Sequence, residues 1–285
     1  MSEHSRVNVT EIKRFNSKIL ALQGQGPREH WAFNAKDAHH VVENTTVAES
    51  EITLPPHIGR LMAGLLEAGG HMGINVSYGT EEAGMDDRRK ARTRVRPVVS
   101  HSDTRPEKLR MLQSLFGGSF LPERRPNKKN SINWQVRDNG ALEIADLIEP
   151  YAISRTNIIA AFRNYEAAAT LEEQIDIANA ARGRHEFAGV TIDDYAEAAS
   201  EPAFLAGVFE SRAAINYSEF GSELVRFGSK NESLLKAVQR ENGGSDVRKA
   251  EQNRYILDLA VNDSARFLAK VEPYLITPLS AYRKL

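Results

Sequence analysis

The residues best equipped for chemistry in this chain are basic and amide side chains at alternating positions. Arg92, Arg94 and Arg96 share one parity of the stretch RTRVRPVV, and Ser131, Asn133, Gln135 and Arg137 share one parity of SINWQVR. On a β-strand, alternate residues line one face. Arginine matches the edge of guanine, and asparagine and glutamine match adenine. Arg124, Arg125, Lys128 and Lys129 fall in the turn that precedes SINWQVR, where cations suit phosphates. A thinner set recurs later in the chain: Asn216, Ser218, Arg226, Lys230, Arg248, Lys249 and Arg254, with Ile256 and Asp258 expected on the outward face of the last strand. This is chemistry for holding a polyanion.

The overall charge of −1 hides that capacity. Between Arg88 and Lys129 there are thirteen Lys or Arg against three acids, whereas residues 166–201 carry nine acids against Arg182 and Arg184. A local basic field steers a polyanion even when the sum is near zero. At 285 residues with 41% hydrophobic and 26% charged content, the chain reads as a soluble globular protein. No apolar run reaches the ~18–20 residues of a membrane span, and no secretory signal is visible. The absence of cysteine excludes disulfides and Cys-ligated zinc. An intracellular protein, cytoplasmic or organellar, is expected. No Gly-rich phosphate loop or Ser-His-Asp spacing is recognisable, and the adjacent His39 and His40 point apart on any regular element.

The elements that must position these residues occur twice. MAGLLEAGGHMGIN (62–75) matches LAGVFESRAAINYS (205–218), LRMLQSLFGGS (109–119) matches LKAVQRENGGS (235–245), and WQVRDNGALEIADLIEPYAIS (134–154) matches LDLAVNDSARFLAKVEPYLIT (257–277). Each copy reads as helix, two strands, helix, two strands, helix. The first helices are expected near 56–69 and 199–211. In HMGINVSY, Met72, Ile74, Val76 and Tyr78 form the buried parity. Pro97 argues for an edge or a bend in the second strand. Gly64 and Ala68 lie four apart on one helix face, and Gly207 and Ser211 repeat the spacing. Such small-residue faces let two helix backbones approach closely, so the two copies meet along these helices. The expected architecture is α+β: an N-terminal extension (1–55), a first αββαββα module (56–165), an acidic linker (166–198) and a second module (199–285). TEIKRFNSKILALQ, in the extension, reads as an amphipathic helix.

MAGLLEAGG and LAGVFESRA resemble the LAGLIDADG motif, and the chain is similar to the two-motif, single-chain LAGLIDADG homing endonucleases and maturases over roughly residues 56–285. The resemblance implies a saddle of two curved antiparallel sheets that grips DNA in the major groove. It also implies a motif helix from each half ending at the centre with an acidic residue that holds divalent metal. That acidic position is the eighth letter of the motif, and here it is Gly69 in one copy and Arg212 in the other. Glycine offers no oxygen, and a fixed positive charge disfavours a nearby cation. The family's central basic residue is kept as Arg155 and lost at Pro278. Glu67 and Glu210 occupy the sixth letter. Two residues turn a helical side chain by ~200°, so both are expected to point away from the metal site and to hydrogen-bond within the helix seam. If catalysis survives, Glu67 and Glu210 are the candidate replacement ligands and Arg155 is the remaining basic residue of the catalytic centre.

Three functions are compatible with this pattern. The first is a nucleic-acid-binding protein that has lost cleavage and serves as an intron maturase, regulator or structural RNA binder. The second is an active endonuclease that cuts double-stranded DNA with divalent metal on unusual ligands. The third is a protein-binding scaffold in a ribonucleoprotein. No cofactor is expected, with Mg²⁺ required only in the second case. The expected partner is DNA or RNA, held by a monomer that is internally a pseudo-dimer.

Overall fold

The computed structural model describes residues 56–77, 93–123, 131–182, 187, 189–250 and 253–283. Arg92, Arg124, Arg125, Lys128, Lys129, Tyr78, the His39–His40 pair and the whole extension 1–55 lie outside the described residues.

The first module begins with α1 (Pro56–Gly69), in which every residue from Leu61 to Ala68 is buried. A helix buried on all sides has to lie between other elements rather than on the surface. Its chain then runs through β1 (His71–Ser77), β2 (Arg94–Asp103), α2 (Pro106–Phe116), β3 (Ser119–Glu123), β4 (Ser131–Arg137) and α3 (Asn139–Ile148), ending in a 3-10 turn over Glu149–Tyr151. Two helices follow, α4 (Thr156–Ala167) and α5 (Leu171–Arg182), and then the short α6 (Ala196–Ser200). The second module repeats the order with α7 (Pro202–Arg212), β5 (Ala213–Tyr217), β6 (Glu223–Ser229), α8 (Glu232–Asn242), β7 (Arg248–Ala250), β8 (Arg254–Asp258) and α9 (Val261–Val271), closed by a 3-10 turn at Glu272–Tyr274. Both sheets are antiparallel with four strands, ordered β1-β2-β4-β3 and β5-β6-β8-β7. The matching orders are the structural counterpart of the duplicated sequence.

Local chemistry explains the pieces. Each sheet buries one parity of its strands, with Met72, Ile74 and Trp134 inside the first and Val225, Phe227 and Leu257 inside the second. The Trp134 ring tilts against Phe116 at 6.2 Å, and its indole N–H donates to Gly117 O at 2.8 Å. The repeated Gly-Gly pairs end α2 and α8. Gly117 and Gly118 have φ of 71° and 87°, and Gly243 and Gly244 have 80° and 112°. A Cβ on Gly118 would stand 2.5 Å from Gln135 O, and one on Gly244 2.8 Å from Asp258 O. Left-handed backbone and close approach to the neighbouring strand both require glycine there.

The structure corrects the sequence reading in three places. The helix expected over 199–211 is two helices, because Glu201 is extended ahead of Pro202, which starts α7. Pro97 lies in an interior strand, opposite Ile74 of β1. It is tolerated because its backbone polar groups face the β4 side, where Pro97 O accepts from Asp138 N (3.0 Å) and the β2–β4 ladder begins only at Val98. Finally, α4 was not anticipated: Ile159 and Phe162 bury its inner side against the first module. The LEEQIDIANAAR helix of the acidic stretch is α5. No described helix is long and apolar enough to cross a membrane.

Candidate nucleic-acid interface

Strand register assembles the outward faces. In the first sheet, Asn75 stands opposite Arg96 and Ser77 opposite Arg94; Val98 stands opposite Arg137, Ser100 opposite Gln135 and Ser102 opposite Asn133. Arg94, Arg96, Asn133, Gln135 and Arg137 therefore share one face, the side opposite Trp134 and Val136. Arg137 donates to Gln135 Oε1 at 2.8 Å, which orients that amide, and Gln135 is buried rather than fully outward. Arg96 lies 3.7 Å from Asp138 in a half-exposed pair.

In the second sheet, Arg226 stands opposite Asp258, Gly228 opposite Ile256, and Arg248 also opposite Ile256. Arg226 and Arg248 both bond the Asp258 carboxylate, at 2.5 and 2.9 Å. That carboxylate is held below its usual range; burial would raise it, but the bonds from Arg226 and Arg248 lower it more. Arg254 lies on the same face, over Gly228. Lys249 is a correction to the expected interface. It stands opposite Tyr255, on the parity that buries Leu257, and its charge acts on Glu232 of α8, so it belongs to the helix side of the sheet. Lys230, just past β6, is exposed.

Between the sheets, α1 and α7 cross where the small residues lie. A Cβ on Gly64 would overlap Phe204 O and sit 3.1 Å from Val208 N, and one on Gly207 would overlap Leu61 O and sit 2.7 Å from Leu65 N. Ala68 and Ser211 are buried nearby. The glycines are thus needed for backbone to touch backbone.

Each motif glutamate turns from the centre into its own module. Glu67 is fully buried and accepts from Ile153 N (2.8 Å), Ser154 N (2.7 Å), Ser154 Oγ and Tyr195 Oη (2.7 Å). Glu210 is equally buried and accepts from Thr277 N (2.7 Å), Thr277 Oγ1 (3.1 Å) and Tyr282 Oη (2.5 Å). These bonds run to the loop after each Glu-Pro-Tyr turn and to a tyrosine beyond it, not across the helix seam as the sequence suggested. Burial, together with the adjacent Glu210 charge, pushes the Tyr282 hydroxyl well above its ordinary value, and the same causes raise Tyr195 beside Glu67.

Arg155 is a second correction. Rather than facing a groove, it is buried and donates to Leu66 O (2.8 Å) and Gly70 O (3.0 Å). A cation on the last carbonyls of a helix satisfies unpaired acceptors and complements the dipole. Arg212 crosses from the other module and donates to Ala68 O (3.2 Å) and Gly69 O (3.1 Å) at the same helix end. A Cβ on Gly69 would lie 2.7 Å from the Arg212 guanidinium carbon and 2.5 Å from Ser211 Oγ. The guanidinium and the missing side chain share one space.

One cluster escaped the sequence reading. Asp103, at the end of β2, is bonded by Arg105 N (2.8 Å), Arg105 Nε (3.0 Å), Arg105 Nη2 (2.9 Å) and Lys108 Nζ. Arg105 and Lys108 then reach Glu210 O at 2.7 and 2.9 Å, and Arg105 stacks on the Tyr282 ring at 4.1 Å. Burial would raise the Asp103 carboxyl, but neighbouring His101, the Arg105 bonds and the Lys108 charge hold it well below the usual carboxylate range. Burial, with the Arg105 charge, brings the Lys108 amine down to about 8. Burial and Lys108 bring His101 down to about 3.

These residues do not fit a divalent ion at the motif ends. Hard cations need anionic or carbonyl oxygens around them. Gly69 supplies no side-chain oxygen and its carbonyl accepts from Arg212, Arg212 itself supplies a cation, Glu67 and Glu210 are saturated by their own hydrogen bonds, and Asp103 is neutralised by two cations. Among the described residues, no group of three His, Asp or Glu is arranged to hold a metal.

No family model matches the chain, and no curated protein does. Solved structures do. The LAGLIDADG homing endonuclease I-LtrWI bound to target DNA aligns at TM-score 0.52 and 15% identity, over 79% of this chain and 87% of that one. LAGLIDADG homing endonuclease I-GzeII in complex with its DNA target aligns at 0.52 and 14%, over 78% and 85%. I-SmaMI bound to cleaved DNA aligns at 0.52 and 13%, over 75% and 83%.

Proposed function

We propose that this chain, which has the two-module fold of the single-chain LAGLIDADG homing endonucleases, binds duplex DNA across its two sheets and does not cut it. The observation that carries the reading is the Arg212 guanidinium packed into the space beside Gly69, where the motif resemblance puts a metal carboxylate. A cation at that point opposes Mg²⁺ and favours phosphate. Binding is supported separately by the face that carries Arg94, Arg96, Asn133, Gln135 and Arg137, and by the DNA in the neighbouring endonuclease structures. Retained grip without cleavage suits a regulator, or a maturase-like role in which the target is structured RNA. Nucleic acid co-purified from the native host separates these two.

The test begins with a duplex selected from a random library. The parent should bind it and leave it intact with Mg²⁺ and with Mn²⁺. Replacing Gly69→Asp together with Arg212→Glu should introduce nicking, since either change alone leaves one half without a ligand. Metal-dependent nicking by the parent that disappears in Glu67→Gln or Glu210→Gln would instead establish an endonuclease with unusual ligands.

A further inference from the structure

We propose that the cleft between β1, α4 and α5 is a binding site for a small organic anion with an apolar body. The inference goes beyond the DNA-binding reading and does not depend on it. A cavity of about 420 Å³ opens there, within the range of roughly 300–1,000 Å³ of small-molecule sites. Its walls come from three elements: residues 71–75 of β1, one face of α4 with the loop before it, and the end of α5. Each wall is anchored from behind. Met72 and Ile74 hold β1 in the core, Ile159 and Phe162 hold α4, and Ala178 holds α5. The cavity is therefore formed before any ligand arrives, which lowers the ordering cost of binding. Sequence spacing makes the room. Asn157, Ala160, Ala161 and Asn164 follow the i, i+3, i+4, i+7 pattern of one face of α4, and Ile177, Ala180 and Ala181 follow it on α5. The four alanines leave open a volume that leucines would fill. Ala160 and Ala180 are exposed, so close packing does not impose their small size.

The chemistry of the lining decides the ligand class. Ile74, Ile158 and Ile177 supply apolar surface. Asn75, Asn157, Asn164 and Arg182 supply donors, and their side chains make no hydrogen bond or ion pair among the described residues. Arg155 also lines the cavity, with its guanidinium on Leu66 O and Gly70 O. Glu166, Glu172, Glu173 and Asp176 lie on the same two helices, yet no described Asp or Glu lines the cavity. What this acidic stretch contributes to the wall is its cation, Arg182. Amides and a guanidinium beside isoleucines suit an anion carried on an apolar body, because each part of such a ligand meets its own kind of surface. A carboxylate or sulfonate on a ring system satisfies both. β1 is an edge strand, and Asn75 stands opposite Arg96, so the occupant lies beside the sheet face that carries the arginines.

The experiment uses the full-length protein and two fluorescent probes of nearly the same shape. One is 1-anilinonaphthalene-8-sulfonate, an anion, and the other is N-phenyl-1-naphthylamine, which is neutral. The parent should bind one equivalent of the sulfonate, about tenfold tighter than the neutral probe. Arg182→Gln should erase that preference and leave the affinity for the neutral probe unchanged. Ala160→Leu and Ala180→Leu, both at exposed positions, should weaken both probes by about tenfold or more while melting like the parent. Phenylacetate should displace the sulfonate, and phenylacetamide should not. Equal affinity for the two probes overturns the anion class. Sulfonate binding that is unchanged in Arg182→Gln and in both leucine variants lies elsewhere and overturns the site, as does the absence of saturable binding by either probe. Should a leucine variant melt lower than the parent, Arg182→Gln alone decides. None of these measurements uses DNA, so a parent that binds no duplex removes the DNA reading and leaves the anion site to be judged on its own.

Discussion

The two sheets have the same strand order and opposite ways of handling charge. On the first, Arg94 has no ion-pair partner among the described residues, and Arg96 and Arg137 make one exposed ion pair and one amide contact. On the second, a single carboxylate, Asp258, draws Arg226 and Arg248 onto itself. The same contrast appears at the helix ends. The first module reaches the end of α7 with Arg105 and Lys108, both on Glu210 O. The second reaches the end of α1 with one cation, Arg212, on Ala68 O and Gly69 O, and where the first module has a buried lysine it has the Ser229 hydroxyl, on Ala68 O at 3.3 Å. Duplication conserves the positions that build the frame and lets the charges diverge. An asymmetric ligand, such as a non-palindromic duplex, is the natural match for such an asymmetric surface.

The largest effect expected is at the frame both halves share. Gly207→Ala should cost about 3 kcal/mol or more, because the new methyl meets backbone that cannot step aside; chemical denaturation measures it, and an undiminished midpoint would mean the helices can separate without penalty. Next comes the grip. Arg94→Ala with Arg96→Ala should weaken duplex binding by roughly 10–100-fold and reduce the salt slope by up to about two units, whereas Arg226→Ala with Arg248→Ala should cost only a few-fold, since Asp258 already offsets those charges. Equal losses in the two pairs would dissolve the contrast between the sheets.

Acid should act on the first half more than the second. His101 titrates near 3 in the fold against 6.5 for an ordinary histidine, so between those values the unfolded chain binds more protons and stability falls as pH falls below 6.5. Asp103, depressed in the fold, adds a loss in the same direction once pH drops through the ordinary carboxylate range. Between pH 6.5 and 5 the histidine contributes on the order of 2 kcal/mol. Thermal melts of the parent and of His101→Phe should diverge over that interval; parallel curves would show that the buried imidazole is not responsible. The smallest effect expected is a gain. Asp258→Asn should release two arginines to the ligand and tighten binding by about two- to five-fold at low salt, with a steeper salt slope.

Much of the frame could be read in the chain because its signals are local. The period-two alternation of HMGINVSY and SINWQVR, the Gly64–Ala68 and Gly207–Ser211 spacings and the paired glycines after α2 and α8 all follow from backbone geometry within a few residues. The features that were misread or missed depend on partners far away in sequence. Arg155 looks like an exposed base until Leu66 and Gly70 close over it, 89 and 85 residues distant. Lys108 carries no hint that its amine will be buried against Glu210, 102 residues on. Lys249 lies in a three-residue strand too short for parity to declare its face. That Gly69 and Arg212 stand where the motif resemblance expects carboxylates was visible in sequence, but their meeting in one space was not.

The crossed capping of the motif helices bears on how the molecule can be assembled. Arg212 finishes α1 from the second half, and Arg105 with Lys108 finish α7 from the first. Two identical first halves docked along the same helices would crowd Arg105, Lys108 and Arg155 around one set of carbonyls, and two second halves would lose all three and meet those carbonyls with Arg212 and Ser229 alone. The halves have therefore become lock and key for each other and poor partners for themselves. Cut in the linker and expressed as two pieces, they should come together as one of each.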